Sequence, residues 1–183
     1  MPRFAALLRG IAPSGPNMTN DRLRAVFEGL GLEDVASVLS SGNIVFRSSA
    51  TDADVLEHRI EEALALELGL SSRALLRTQS ELRALVDSDP FPGLTHAPET
   101  YLTATFVKHP DPAGLVPGLL DPGTRVVRYD AAARAVLAIT DNTEPSRARG
   151  FTAWLEKFYG NDITTRSWLT VQRIVRTLES GPG

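Results

Sequence analysis

An α+β fold of two small subdomains is what this sequence predicts, and three observations carry the prediction. Apolar runs of strand length alternate with helical stripes, in the order βαββαβ over the first half. A Pro-rich break, Asp89-Pro90-Phe91-Pro92-Gly93, falls near the middle of the 183 residues. With 43% hydrophobic and 22% charged residues the chain reads as soluble, and at this size it can bury roughly 70% of its unfolded surface without disulfides or metal.

The elements follow in order. Phe4 to Arg9 is an apolar strand stopped by Gly10 and the cluster Pro13-Ser14-Gly15-Pro16-Asn17. Leu23, Val26, Phe27 and Leu30 make a helical stripe, with Thr19 or Asn20 as N-cap and Gly29 or Gly31 at the end. Val35 to Ser40 and Ile44 to Arg47 are extended runs joined through Ser41-Gly42-Asn43, residues that tolerate positive φ. Asp52 caps a second helix with the inner stripe Leu56, Ile60, Ala63 and Leu64, closed by Gly69, and Arg73 to Arg77 follows as a strand. This order is that of the ferredoxin-like split βαβ, whose helices cover one face of an antiparallel sheet. The opposite face must then meet water, a ligand or a second layer.

Thr78-Gln79-Ser80-Glu81 is a capping box for a short helix through Leu82, Leu85 and Val86. Beyond the break, Tyr101 to Lys108 is a strand, and Pro110 to Pro122, with four prolines, is a helix-poor connection. Arg125 to Tyr129 and Ala135 to Thr140 form a hairpin around residues 130–134. Phe151, Trp154, Leu155 and Phe158 stripe a helix ended by Gly160; Ile163 to Arg166 is a last strand, and Val171, Ile174, Val175 and Leu178 stripe the C-terminal helix. The partition is a ferredoxin-like subdomain over 1–88, a Pro-rich connection over 89–98 and an α+β subdomain with an antiparallel sheet over 99–183.

Counting excludes several chemistries. Zero cysteines remove disulfides, zinc fingers, iron–sulfur clusters and cysteine nucleophiles. No apolar run reaches the length of a membrane span, and none resembles a signal peptide, so a cytoplasmic location with no membrane partner is expected. Seventeen of the 19 basic residues are Arg, leaving only Lys108 and Lys157. The net charge of −3 argues against a surface built throughout for nucleic acid. Its distribution is uneven: residues 1–50 hold 5 basic and 4 acidic groups, 51–143 hold 8 and 14, and 144–183 hold 6 and 4. Basic termini that converge, with Arg147, Arg149 and Arg173, would make a modest cationic patch.

Ala6-Leu7-Leu8-Arg9-Gly10-Ile11, Ser41-Gly42-Asn43-Ile44-Val45-Phe46, Leu76-Arg77-Thr78, Asp89-Pro90-Phe91-Pro92 and Thr164-Thr165-Arg166-Ser167-Trp168 occur in a distinctive order. The chain resembles a widespread bacterial domain family of unknown function that opens with Leu-Leu-Arg-Gly-Ile-Asn and continues with Ser-Gly-Asn-(Val/Ile)-(Val/Ile)-Phe. The resemblance implies two α+β subdomains, the first ferredoxin-like, and brings no activity. Ala12, Pro16 and Leu169 stand where that family carries Asn, Lys and a second Asn.

The candidate site residues each admit two readings. Gly10 and Gly15 have phosphate-loop spacing between a strand and a helix, yet Pro16 and Asn17 stand where a nucleotide loop needs Lys and Ser/Thr, which leaves either generic anion binding or a simple turn. Arg9 ends an apolar strand, where a guanidinium needs solvent, an anion or a structural partner. Ser41, Gly42 and Asn43 suit close approach to a small ligand or a plain tight turn. Arg166 and Trp168 form either an exposed cation-plus-aromatic clamp or a packed Trp beside a structural Arg. His58 and Glu62 are spaced i, i+4 on a helix whose neighbours Glu57 and Glu61 suggest a solvated face, so no metal is assigned. No triad or catalytic residue is proposed, no cofactor is implied, and whether the chain is an enzyme stays open.

Two functional expectations result. One is a small anionic ligand bound in a cleft between subdomains by Arg9, Gly10, Asn17, Ser41, Gly42, Asn43, Arg166 and Trp168. The other is a non-catalytic module that meets nucleic acid or protein through an exposed sheet face, although for base stacking the strands offer mainly Phe4 and Phe46 among aliphatics.

Overall fold

The computed structural model describes residues 1–109, 118–121 and 123–181, with 118–121 and 145–148 described as backbone alone. Two compact units emerge: Met1–Leu82 together with the C-terminal residues from Arg173, and Arg83–Gln172. The sequence partition is linear, whereas the units are not: the end of the last helix returns to the first unit. There Arg3 Nη1 donates to the carbonyl of Leu178 at 2.7 Å, while Ile174, Val175 and Leu178 are buried.

In the first unit β1 (Arg3–Leu8), α1 (Asn20–Gly29), β2 (Glu33–Ser37), β3 (Asn43–Arg47), α2 (Ala53–Leu68) and β4 (Ala74–Thr78) follow one another, and α3 (Gln79–Asp87) begins there. The strands form one antiparallel sheet in the order β2-β3-β1-β4. Alternation decides its faces: Phe4, Ala6, Leu8, Ile44, Phe46, Ala74 and Leu76 pack with Leu23, Val26, Phe27, Leu56, Ile60 and Leu64 of the two helices. Thr19 Oγ1 accepts from the Arg22 amide to start α1, and Asp52 Oδ1 accepts from Val55 at 3.1 Å to start α2. Gly69, at φ 67°, closes α2 in the left-handed region. The opposite face is no more open, since Ala5, Leu7, Leu75 and Arg77 are fully buried and Val45 nearly so.

The β4 edge corrects one expectation. Glu57 and Glu61 do not line a solvated face: Glu57 Oε1 accepts from the Leu76 amide at 2.7 Å and Glu61 Oε1 from Ala74 at 2.9 Å. Glu81 Oε2 takes the Thr78 amide at 2.6 Å, while Thr78 Oγ1 accepts from the Glu81 amide at 3.2 Å, so the predicted capping box forms. Every second amide of the edge strand is thus occupied by a carboxylate, which closes the edge to further strand pairing. Periodicity assigns an acid to the polar side of a helix; here Glu57 and Glu61, one turn apart, reach past that helix to a strand.

In the second unit β5 (Tyr101–Val107), β6 (Gly118–Asp121), β7 (Thr124–Asp130), β8 (Ala135–Thr140), α4 (Pro145–Tyr159), β9 (Ile163–Ser167) and the start of α5 (Trp168–Ser180) build a sheet ordered β6-β7-β8-β5-β9. The predicted helix-poor connection over 110–122 lies outside the described residues except at its end, where β6 forms. Val107, Val126, Val136, Ala138 and Ile163 pack with Phe151 and Leu155 of α4. Among the described residues no helix is long and apolar enough to cross a membrane.

The second sheet repeats the first, pair by pair. Leu7 opposite Asn43 and Ala5 opposite Val45 have their counterparts in Phe106 opposite Ala135 and Ala104 opposite Leu137. Ala5 opposite Arg77 corresponds to Ala104 opposite Arg166. The irregularity between Glu33 and Ala36 recurs between Val126 and Arg128. The bond from the Leu8 amide to the Gly42 carbonyl (2.8 Å) recurs from Val107 to Arg134 (2.9 Å), and that from Arg9 to Arg73 recurs from Lys108 to Asp162, both 2.9 Å. Even the backbone signs agree, since Gly42 and Arg134 both have positive φ. β6 is the addition, and it enters between β5 and β7 where the first unit has α1.

Candidate functional site

The loop end of the first sheet brings together most of the residues that the sequence singled out. Beyond the last β1–β3 pair, Leu7 with Asn43, the Leu8 amide donates to the Gly42 carbonyl at 2.8 Å, which brings the start of the β1–α1 loop to the β2–β3 turn. On the other side the Arg9 amide donates to the carbonyl of Arg73 at 2.9 Å, and Ser72 Oγ donates to the carbonyl of Arg9 at 2.7 Å. Arg9 thus lies beside Arg73 just beyond the ends of β1 and β4. Arg9 is half-buried, and Arg73 is exposed with its Nη1 3.3 Å from Glu61 Oε2. Arg73 escaped the sequence reading because nothing local distinguishes one Arg at the start of a strand; only pairing with Arg9 does.

The β1–α1 loop and the β2–β3 turn meet at this end. A Cβ on Gly42 would lie 2.8 Å from Ile11 Cγ1 and 3.0 Å from Leu8 Cβ, and its φ is +75°, so close approach and backbone sign both require glycine. Asn43 is buried, and its Nδ2 donates to the Val38 carbonyl at 3.0 Å and to Ser41 Oγ at 3.1 Å, which ties the turn together. Asn17, with φ 62°, donates through Nδ2 to the Leu68 carbonyl at 3.2 Å and accepts from Arg22 Nη1 at 2.7 Å, clamping the loop to the end of α2. Between these anchors Gly10 has φ +76°, and Ala12, Pro13, Ser14 and Pro16 are exposed. Ser41, Gly42, Asn43 and Asn17 thus shape this end, and Arg9 and Arg73 supply its charge.

Arg166 and Trp168 belong to the second unit. Of the two arrangements open to them, the packed one is present. Trp168 is buried with its ring 5.2 Å from that of Phe91, edge to face. Arg166 is buried on β9, with Nη1 donating to Thr164 Oγ1 at 2.7 Å and to the Thr165 carbonyl at 2.9 Å. Desolvation by burial lowers its pKa to about 10, which leaves it charged at neutral pH. Arg77, its counterpart on β4, likewise donates to the carbonyl before it, that of Leu76, at 2.6 Å. Both follow from their positions: each lies on an edge strand one residue before the cap of a helix.

The first sheet offers no open aromatic platform at Phe4 and Phe46. Phe4 stacks on Phe46 at 5.6 Å and Phe27 meets Phe46 edge-on at 5.6 Å, all inside the helix-covered core. His58 and Glu62 approach to 3.2 Å on the exposed side of α2. In the cationic patch expected of the termini, the Arg147 side chain lies outside the described residues; Arg149 is in the second unit and Arg173 in the first.

Comparison with known proteins adds a family and a fold. The family described as "Protein of unknown function (DUF1697)" matches residues 1–136, most of the chain, which therefore belongs to it. The conserved bacterial protein SP0830 from Streptococcus pneumoniae, a solved structure, is similar over 98% of this chain and 99% of its own, with a TM-score of 0.71 and 22% identity. At that identity the likeness is one of fold. No curated protein matches the chain.

Proposed function

We propose that this member of the DUF1697 family binds a small anionic ligand at the loop end of its first sheet, with Arg9 and Arg73 as the cationic groups and the Gly10–Asn17 loop and Ser41–Asn43 turn as the walls. The observation that carries this reading is the backbone bond that sets Arg9 beside Arg73 at the ends of adjacent strands, next to a loop anchored by Asn17 and packed closely against Gly42. An anion held between two guanidinium groups gains charge-assisted hydrogen bonds from both. The reading is confined to the first unit; Arg166 and Trp168 take no part in it. The inward-facing Phe4 and Phe46 weigh against base stacking on the sheet, so a nucleic-acid module is the weaker alternative.

A thermal-shift screen of inorganic phosphate, phosphosugars, nucleotides and small carboxylates should raise the melting temperature for at least one class. The shift should vanish in Arg9→Gln while that variant's unliganded melting temperature stays within a few degrees of the parent. No shift with any anion, or an equal shift in Arg9→Gln, sinks the proposal.

A further inference from the structure

We propose that Met18 is an oxidation site, at which a hydroperoxide turns the thioether into a sulfoxide and so releases the β1–α1 loop. The sequence holds no cysteine and two methionines, Met1 and Met18, so a peroxide finds two sulfur atoms to attack. Met18 is half-buried and closes the loop with its sulfur: the Ala12 amide donates to Sδ at 3.4 Å, across six residues. Inside that ring the Gly15 amide donates to the Ala12 carbonyl at 2.9 Å, and the Met18 amide to the Gly15 carbonyl at 3.2 Å. A Cβ on Gly15 would lie 2.5 Å from Sδ, so the sulfur takes the place that a side chain would need there. The φ of Gly15 is not in the left-handed region; it is the neighbouring sulfur, and not the backbone sign, that calls for glycine.

The step is a two-electron oxygen transfer. A sulfur lone pair attacks the terminal peroxide oxygen, the S–O bond forms as the O–O bond breaks, and the proton passes to the departing oxygen, which leaves as an alcohol or, from hydrogen peroxide, as water. Sulfur is oxidised and the peroxide reduced. The thioether is a weak acceptor, whereas the product is polar and larger by one oxygen. An oxygen set between Sδ and the Ala12 amide forces them apart, because an N–H···O contact by itself takes about 2.9 Å of the 3.4 Å that separates them. An oxygen on the other lone pair puts a polar group on a side chain that packs, like Ile11, against the apolar core of the first unit. Methionine sulfoxide is returned to the thioether by dedicated reductases, so the change is reversible.

The test treats the full chain with dilute hydrogen peroxide and reads two quantities: the oxygen added at each methionine, by peptide mapping, and the hydrogen exchange of the loop amides, by mass spectrometry. Neither readout needs an anion, so the outcome is independent of the function proposed above. Met18 should be oxidised in the folded chain, and exchange over residues 11–18 should rise at least fivefold while that of β1 and β3 stays within twofold. Methionine sulfoxide reductases should restore the original exchange. Met18→Leu, a change that nearly conserves volume, keeps Met1 as the sole sulfur, and its loop should be insensitive to peroxide. Met18 left intact by peroxide that fully oxidises Met1 overturns the proposal. So does an oxidised Met18 whose loop exchanges less than fivefold faster, or an equal rise in Met18→Leu.

Discussion

The two units run the same chain path with different chemistry, and the difference separates what the path requires from what is particular to one end of one sheet. Their helix-facing layers already diverge. Phe4, Ala6 and Leu76 of the first occupy the positions of Thr103, Thr105 and Thr165 in the second, where Thr105 Oγ1 and Thr165 Oγ1 lie 2.8 Å apart. An aromatic cluster is exchanged for a hydroxyl pair, and Phe151 and Trp154 of α4, stacked at 6.1 Å, return aromatic volume on the helix side. Arg77 and Arg166 are common to both units, each bonded to the carbonyl that precedes it. Shared groups of this kind belong to the architecture. The Arg9–Arg73 pair, replaced by Lys108 and Asp162, does not, and a group the architecture does not need is where a specific function is to be sought.

The largest effect should come from the shared arginines. Arg77→Ala and Arg166→Ala each remove a buried guanidinium and leave a cavity and an unbonded carbonyl, at a cost of about 3 kcal/mol in urea unfolding. Costs that differ by more than about 1.5 kcal/mol would break the equivalence of the two strands. Next, Gly42→Ala should cost about 2 kcal/mol, because its Cβ meets Ile11 and Leu8 at positive φ. Arg134→Gly, at the same point of the other turn, should change stability by less than about 1 kcal/mol, relief of strain offsetting the lost bond to the Lys108 carbonyl. A large loss there would mean that the second turn is held as tightly as the first.

On binding, Lys108→Gln should leave anion affinity unchanged within twofold, whereas Arg9→Gln lowers it at least tenfold, about 1.4 kcal/mol. Equal losses would place the ligand elsewhere. The most symmetrical effect concerns the caps. Thr78 Oγ1 accepts from Glu81 N at 3.2 Å and Ser167 Oγ from Thr170 N at 3.3 Å, so Thr78→Ala and Ser167→Ala should each cost about 1 kcal/mol. A larger loss at Thr78 would measure the added bond that Glu81 returns to that strand.

Much of this molecule is legible from composition and spacing, because strands and helices are selected by local patterns. The stripes of α1, α2 and α5, the caps Thr19, Asp52 and Thr78, and the turn at Ser41–Asn43 stand where period and turn chemistry put them, whereas in α4 Phe151 and Leu155 are buried but Phe158 is exposed. Arg9 was conspicuous as a cation closing an apolar run. Its partner was not: Arg73 is one of many arginines, and 63 residues of chain lie between the two. Glu57 and Glu61 mislead for a related reason, since a carboxylate that bonds an edge-strand amide has the same helical spacing as one that meets water. β6 escaped because the prolines around it suppress any strand pattern.

The sequence by itself determined the order of the elements apart from β6 and the exclusion of cysteine chemistry, both of them properties of local pattern and count. Only the tertiary structure decided that the second sheet repeats the first. Ala5 with Ala104 and Arg77 with Arg166 are the only identities among the paired residues of β1 with β5 and β4 with β9. The physical reason is that a sheet position specifies a backbone bond, a face and a volume, conditions that Phe or Thr, Arg or Asp can each satisfy, so register is preserved where identity is not. For the same reason Arg9 could be noticed in the sequence, but its opposition to Arg73 is a fact of register.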